Sequence, residues 1–278
     1  MYKFRDLELA RSPTTETRSA DALNYDGHWL DDEIAEFKTL TVSGRDDFSR
    51  SINMAELSSD GAQYLSSRFT DKKLEVKFFL NCESWGQYES AVSKIKRILY
   101  PPEKKIKFND EQNYYYIGTV DSFVLDNPLY STTGKISFTV SNPYKLSEIK
   151  KIEGTGTTIT IHDNELQYPN LPSTLKFIPT AGGANISINN VKQHKSISAK
   201  VAYSSGNEII FDFKKLEFYV NKVSHLMDID LSSNIGDFYI ADGDTITTNI
   251  TGKYELDYEV KRLWFFTYWT KGSKQSSC

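Results

Sequence analysis

Sulfur is nearly absent from this chain. Of its 278 residues only two are cysteine, Cys82 and Cys278. Two cysteines cannot build the disulfide framework of a small secreted scaffold, and a chain of this length can bury a core without staples. Cys82 stands near the end of a strand-like stretch and reads as a reduced, buried thiol. Cys278 closes a polar tail, KGSKQSSC. Histidine is also scarce. His28, His162, His194 and His225 show no pair at i,i+4 or at C-x-x-C-like spacing, so no metal site is spelled out. No run approaches the ~18 apolar residues of a membrane span. The opening MYKFRDLELARSP lacks the apolar stretch of a secretory signal. The expectation is a protein made in the cytoplasm that does not leave by the general secretory route. Positive charge is not in excess. Residues 1–146 carry 19 Lys+Arg against 22 Asp+Glu, and residues 147–278 carry 14 against 15, giving −3 and −1 and a total of −4. A protein that neutralises many phosphates needs a basic surplus.

Catalytic signatures are missing as well. There is no G-x-S-x-G, no Walker loop and no G-x-G-x-x-G. GTGTT (Gly154–Thr158) imitates a phosphate loop, but no helix pattern follows to hold an anion at its N-terminus. It reads as the linker into a second domain. IHDNE (Ile161–Glu165) is the most ligand-like cluster and reads as a strand end running into a polar turn. DGD (Asp242–Asp244) lacks the ligand loop of a calcium site and reads as a turn. Asp31-Asp32 and Asp46-Asp47 are adjacent pairs. Neighbours on a strand face opposite ways, so neither pair places two carboxylates in one cleft. The expectation is no enzyme, no metal and no cofactor.

What the chain has is aromatic residues, 13% of the total, with 17 Tyr and 16 Phe. Such side chains suit a pleated, half-buried face. KLEVKFFL (Lys73–Leu80) alternates apolar and charged residues and is the first clear strand. SWGQYESAVSKIKRILYPP follows. Trp85, Tyr88, Ala91, Val92, Ile95, Ile98 and Leu99 recur every three or four residues, which makes an amphipathic helix. Ser84 caps it and Pro101-Pro102 stop it. Lys105–Phe108 and Tyr114–Val120 form a predicted hairpin, and Lys135–Val140 another strand. Asn142-Pro143 then ends the first sheet. Beyond it, strands are predicted at Thr157–Ile161, Ser173–Ile178, Asn185–Asn189, Ile209–Phe213, Leu216–Val220, Asp237–Ile240, Thr245–Asn249 and Tyr254–Lys261. The length and pattern give two mainly β domains. Residues 1–146 are a β-sandwich-like domain with one helix, and residues 147–278 are a β-sandwich or jelly roll.

The order of motifs adds more. YDGHWLDD precedes TVSGRDDFSRSINM, then SSDGAQYLSSRFTDKKLEVKFFL, one helix, a Tyr-rich hairpin and KISFTVSNPYKLSE. This resembles the N-terminal domain of the siphophage distal tail protein family, in its V-x-G-R stretch (Val42–Arg45), its D-G…R segment (Asp60-Gly61 with Arg68) and its Asn142-Pro143-Tyr144 closure. ANISINN, NEIIFDFKKLEFYVN and the stretch ending at Arg262 and Trp264 are similar to that family's C-terminal galectin-like domain. Two segments depart from the pattern: LELARSPTTETRSAD near the start, and the aromatic LWFFTYWTKGSKQSSC at the end.

The resemblance implies a structural protein. It implies a homohexameric ring at the tail tip, joining the tail tube protein to the tail-associated hub protein. It implies DNA passing through a channel, and an outward C-terminal domain that anchors receptor-binding proteins at the baseplate of the virion. A ring needs two different complementary patches on each subunit. Candidate contacts are the charged turn Arg45, Asp46 and Asp47, Arg68, and the hairpin tyrosines Tyr114, Tyr115 and Tyr116, with KKIKFNDEQNYYYIGTV reaching toward a neighbour. Trp264, Phe265 and Trp269 are candidates for docking through the tail. The alternative is a module that binds host cell-wall polysaccharide, with exposed aromatics of the second domain as its platform.

Overall fold

The computed structural model describes residues 18–127 and 129–263. Among them the chain divides into two compact units: residues 18–143 with Leu263, and Tyr144–Arg262. Both are mainly β, as the composition implies.

The first unit contains strands β1 (Leu23–Tyr25), β2 (His28–Trp29), β3 (Phe37–Ser43), β4 (Arg50–Glu56), β5 (Ala62–Phe69), β6 (Lys72–Asn81), β7 (Lys104–Phe108), β8 (Tyr114–Leu125) and β9 (Ser131–Val140). Its helices are α1 (Leu30–Glu33) and α2 (Trp85–Leu99). The main sheet runs β2-β1-β7-β8-β9-β6-β3, with antiparallel neighbours. In β6, Leu74, Val76, Phe78 and Leu80 are all buried, as their alternation requires. Helix α2 buries Tyr88, Ala91, Ile95, Ile98 and Leu99 into the same core. The Ser84 side chain accepts from the Gln87 amide at 3.3 Å and caps it. Phe78 sits in the middle of the core, stacked on Phe37 at 5.0 Å and on Phe123 at 5.5 Å between ring centroids. Its cross-strand partner is Gly134. A Cβ there would come within 2.5 Å of the Phe78 ring and 2.6 Å of the Val124 carbonyl, so only glycine leaves room for that ring. Cys82 is buried and free.

The second unit contains β10 (Lys145–Ser147), β11 (Lys150–Thr160), β12 (Thr174–Pro179), β13 (Ile186–Asn190), β14 (Lys195–Ala199), β15 (Ile209–Asp212), β16 (Glu217–Val220), β17 (Val223–Ser224), β18 (Thr245–Tyr258) and β19 (Lys261–Arg262). The path is β14-β13-β18-β12-β15-β16-β17, with β11 along β18 and β10 paired to β19. Strand β18 organises it. One edge pairs with β11 from Lys150↔Tyr258 to Thr160↔Thr245; the other pairs first with β13 and then with β12. The inward residues form one core, including Phe177, Phe211, Phe213, Phe218 and Phe238.

Several expectations are corrected here. GTGTT is not a linker: Gly154–Gly156 pair in register with Tyr254–Gly252 inside β11, and a bulge follows. The two strands expected at 245–249 and 254–261 are one continuous strand that ends at Tyr258. Residues 237–240 form no strand; a short 3-10 turn, Ile235–Asp237, and one bridge at Ile240 take their place. The strands expected at Ile209–Phe213 and Leu216–Val220 pair as a hairpin, β15 with β16, with Asp212 opposite Glu217.

Candidate assembly surface

Among the described residues, strands β4 and β5 pair only with each other, from Arg50↔Phe69 to Glu56↔Ala62, and make a two-stranded sheet outside the main one. Cross-strand packing at the root is aromatic. Phe48 meets Phe69 edge to face at 5.9 Å, and the Arg50 guanidinium lies 4.3 Å over the Phe69 ring. Farther out, Met54 stands opposite Tyr64, and both are more than half exposed, as are Ile52 and Leu65. A lone two-stranded ribbon is marginal in water. Its outer backbone groups are also left for another chain to pair with. The ribbon thus leaves four large apolar side chains exposed together, the kind of patch at which proteins meet partners.

The charged turn lies between β3 and this ribbon. Gly44, at φ +87°, turns the chain against the Lys73 carbonyl, where a Cβ would stand 2.1 Å away. Arg45 then points inward rather than out. Its guanidinium grips Asp110 with both nitrogens, at 2.7 and 2.8 Å, and reaches Asp21 at 3.2 Å. It lies 5.0 Å over the Phe108 ring. Its carbonyl accepts from the Lys72 ammonium at 2.7 Å and from the Tyr116 hydroxyl at 3.3 Å. Burial works against the Arg45 cation, but the hydrogen bonds and charge of Asp110 outweigh it and hold its pKa above the usual value. Burial also raises Asp21, in spite of Arg45. Arg45 is therefore an internal clamp that fixes the root of the ribbon to the strand and turn beneath it.

The remaining sequence candidates separate. Asp46 and Asp47 are exposed beside the clamp. Arg68 is exposed on β5, opposite Ser51. Tyr115 and Tyr116 are a correction. Tyr116 pairs with Ile106 of β7, and the two side chains are 3% and 2% exposed. They cannot present a face to a neighbour. Burial, foremost, pushes the Tyr116 phenol well up. Tyr114 is half-buried with its hydroxyl enclosed. Trp264, Phe265 and Trp269 lie outside the described residues. Sequence reasoning missed Ile52, Met54, Tyr64 and Leu65. The signal was available: SINM and AQYL flank SSDG, two strand-like runs around a turn.

Among the described residues no group of three His, Cys, Asp or Glu side chains is placed to hold a metal ion. No described helix is long and apolar enough to cross a membrane.

Comparison with known proteins fits this geometry. Residues 33–140 match the family model of the phage tail protein RIFT-related domain. The matched stretch lies within the first unit. The fold over most of the chain is like that of a solved phage protein. Dit of phage SPP1, described as a paradigm of the hub adsorption apparatus in phages infecting Gram-positive hosts, superimposes with a TM-score of 0.74 at 13% identity. The match covers 87% of this chain and 99% of that one. Chains of the phage P2 baseplate, in its activated conformation with Ca and with Sr, align at TM-scores of 0.48 and 0.44 and 9% and 10% identity. Each match covers 83% of this chain and 92% of the other. These likenesses are weaker, and the fold assignment rests on the SPP1 protein. No curated protein sequence matches the chain. Domain match and fold together support a structural role in a phage tail.

Proposed function

We propose that this chain is the ring-forming connector of a siphophage tail tip. Six copies close a ring through their first units, between the tail tube protein and the tail-associated hub protein, around a channel that DNA crosses. The second units, read as galectin-like sandwiches, stand outward at the baseplate as anchors for receptor-binding proteins. The protein is made in the host cytoplasm, works in the virion and catalyses nothing.

The β4–β5 ribbon carries this reading. A heterologous contact that closes by rotation needs an arm on one subunit and a receiving surface on the next. The ribbon is such an arm: unpaired edges, exposed Ile52, Met54, Tyr64 and Leu65, and a root clamped by Arg45. These four side chains are already about half covered, so burying the rest contributes roughly half of 1.5–3 kcal/mol each per contact, before the entropy of ordering is subtracted. The mild negative charge suits a channel that must not grip phosphates.

The test is the mass of the particle in solution, by light scattering and negative-stain imaging, alone and with the tube and hub proteins. Sixfold particles are expected. Replacing residues 51–68 by a short Gly-Ser link should give monomers under every condition. Monomers of the unaltered chain in all three mixtures would defeat the proposal.

A further inference from the structure

The outer face of the second unit carries an open dish of about 390 Å³, lined by Glu153 and Thr155 of β11, Lys176 and Ile178 of β12, and Lys253 and Glu255 of β18. Its size falls at the lower end of small-ligand sites. The register explains the lining. Glu255 pairs with Glu153 on one side and Lys176 on the other; Lys253 pairs with Thr155 and Ile178. Two cross-strand rows of side chains therefore stand on one face of three adjacent strands.

The chemistry of these rows is selective. Lys151 is held by Glu255 at 2.6 Å and lies 3.7 Å from Glu153. Lys176 is held by Glu208 at 2.5 Å. Of the side chains lining the dish, two are carboxylates, Glu153 and Glu255, and two are ammonium groups, Lys176 and Lys253, so the lining has no net charge. An anion or a cation gains little from such a field. A neutral ligand carrying many hydroxyls gains most, because each hydroxyl both donates and accepts. Hydrogen bonds to charged partners are the stronger kind. Ile178, 39% exposed, supplies an apolar spot for C–H groups.

We infer that this dish binds a neutral oligosaccharide, one or two residues at a time. The inference stands apart from ring assembly, because the dish lies within one unit of one copy.

The experiment is saturation-transfer NMR and calorimetric titration of the full chain with maltotriose, cellotriose, lactose and chitotriose, and with sialyllactose and a heparin disaccharide as charged probes. At least one neutral sugar should bind and the charged probes should not. Thr155→Phe, which fills the dish, and Lys253→Ala, which removes a donor, should each weaken that binding about tenfold or more. Both positions are exposed, so the melting temperature should stay unchanged. Failure of all four neutral sugars, tighter binding of a charged probe, or binding that survives both substitutions would overturn the inference. None of these outcomes bears on whether the ring forms.

Discussion

Replacing Arg45 by Met would test whether the charged turn is a clamp or a free surface. The guanidinium makes two parallel bonds to Asp110 and one to Asp21. Its side chain is 15% exposed, and those of Asp110 and Asp21 are 27% and 30% exposed. Surface pairs contribute about 0–1 kcal/mol. Breaking a fully buried pair costs about 3–5 kcal/mol, because one charge is stranded. This site lies between those limits, and the contact with Phe108 adds about 0.5–1 kcal/mol. The expected loss is about 2 kcal/mol. For a domain the size of the first unit, each kcal/mol lowers the melting temperature by roughly 4 °C. Scanning calorimetry should therefore show the first unit's transition about 8 °C lower, with the second unit's unchanged. Arg45→Lys keeps the charge but not the fork, and should fall between the two. A change of less than about 1 °C in Arg45→Met would refute the clamp and return this turn to the solvated loops.

Other substitutions probe the two cores. Gly134→Val drives a side chain into the Phe78 ring and the Val124 carbonyl; it should cost about 1–3 kcal/mol in chemical unfolding, the usual price of overpacking. In the second unit, Asp163 accepts from Lys150 at 2.8 Å and from the Tyr258 hydroxyl at 2.9 Å. Burial works to raise its pKa, but Lys150 and the other donors prevail and hold it below the ordinary value of 3.8. Its contribution is then complete above that value and lost as pH falls through the lower, folded one. The second unit's melting temperature should fall on acidification below 3.8, and more weakly in Asp163→Asn, as followed by circular dichroism. Burial raises the Cys82 thiol; peptide mapping after iodoacetamide should find Cys82 unmodified in the native protein and alkylated in urea.

The elements read most easily from sequence were those whose pattern is enforced by a core of their own. Strand β6 alternates because one face meets Phe37 and Phe123, and α2 has helical periodicity because one stripe meets the same core. Where a strand pairs on both sides or runs long, the local signals mislead. GTGTT resembles a loop because glycine and threonine are common in loops, yet β18 pairs with it on both sides of a bulge. No property of residues 154–158 announces that partner, which lies about a hundred residues later. The tyrosines at 114–116 were read as a contact surface for a related reason. Aromatic clusters look the same in sequence whether they fill a core or cover a neighbour. Burial decides the question: Tyr115 and Tyr116 are 3% and 2% exposed.

The ribbon presents the opposite problem, and it shows what periodicity measures. Alternation reports that a strand will have a dry face; it does not say whose atoms will dry it. In β6 the covering atoms belong to the same chain. In β4 and β5 no described residue supplies them: Ile52, Met54, Tyr64 and Leu65 stay exposed although their strands pair over seven positions around one bulge. A ribbon of this kind in a lone subunit invites indiscriminate pairing. Its charged residues work against that. Arg50, Glu56 and Arg68 are all exposed along it, and charge at strand edges discourages pairing with arbitrary chains while a complementary surface is still accepted. On this argument the arm's apolar side chains supply affinity and its charges supply the choice of partner. Arg68→Ala should then leave the monomer's melting temperature unchanged, slow particle formation measured by light scattering, and reduce its sensitivity to salt. Unchanged assembly kinetics and salt dependence would remove the charges from that role.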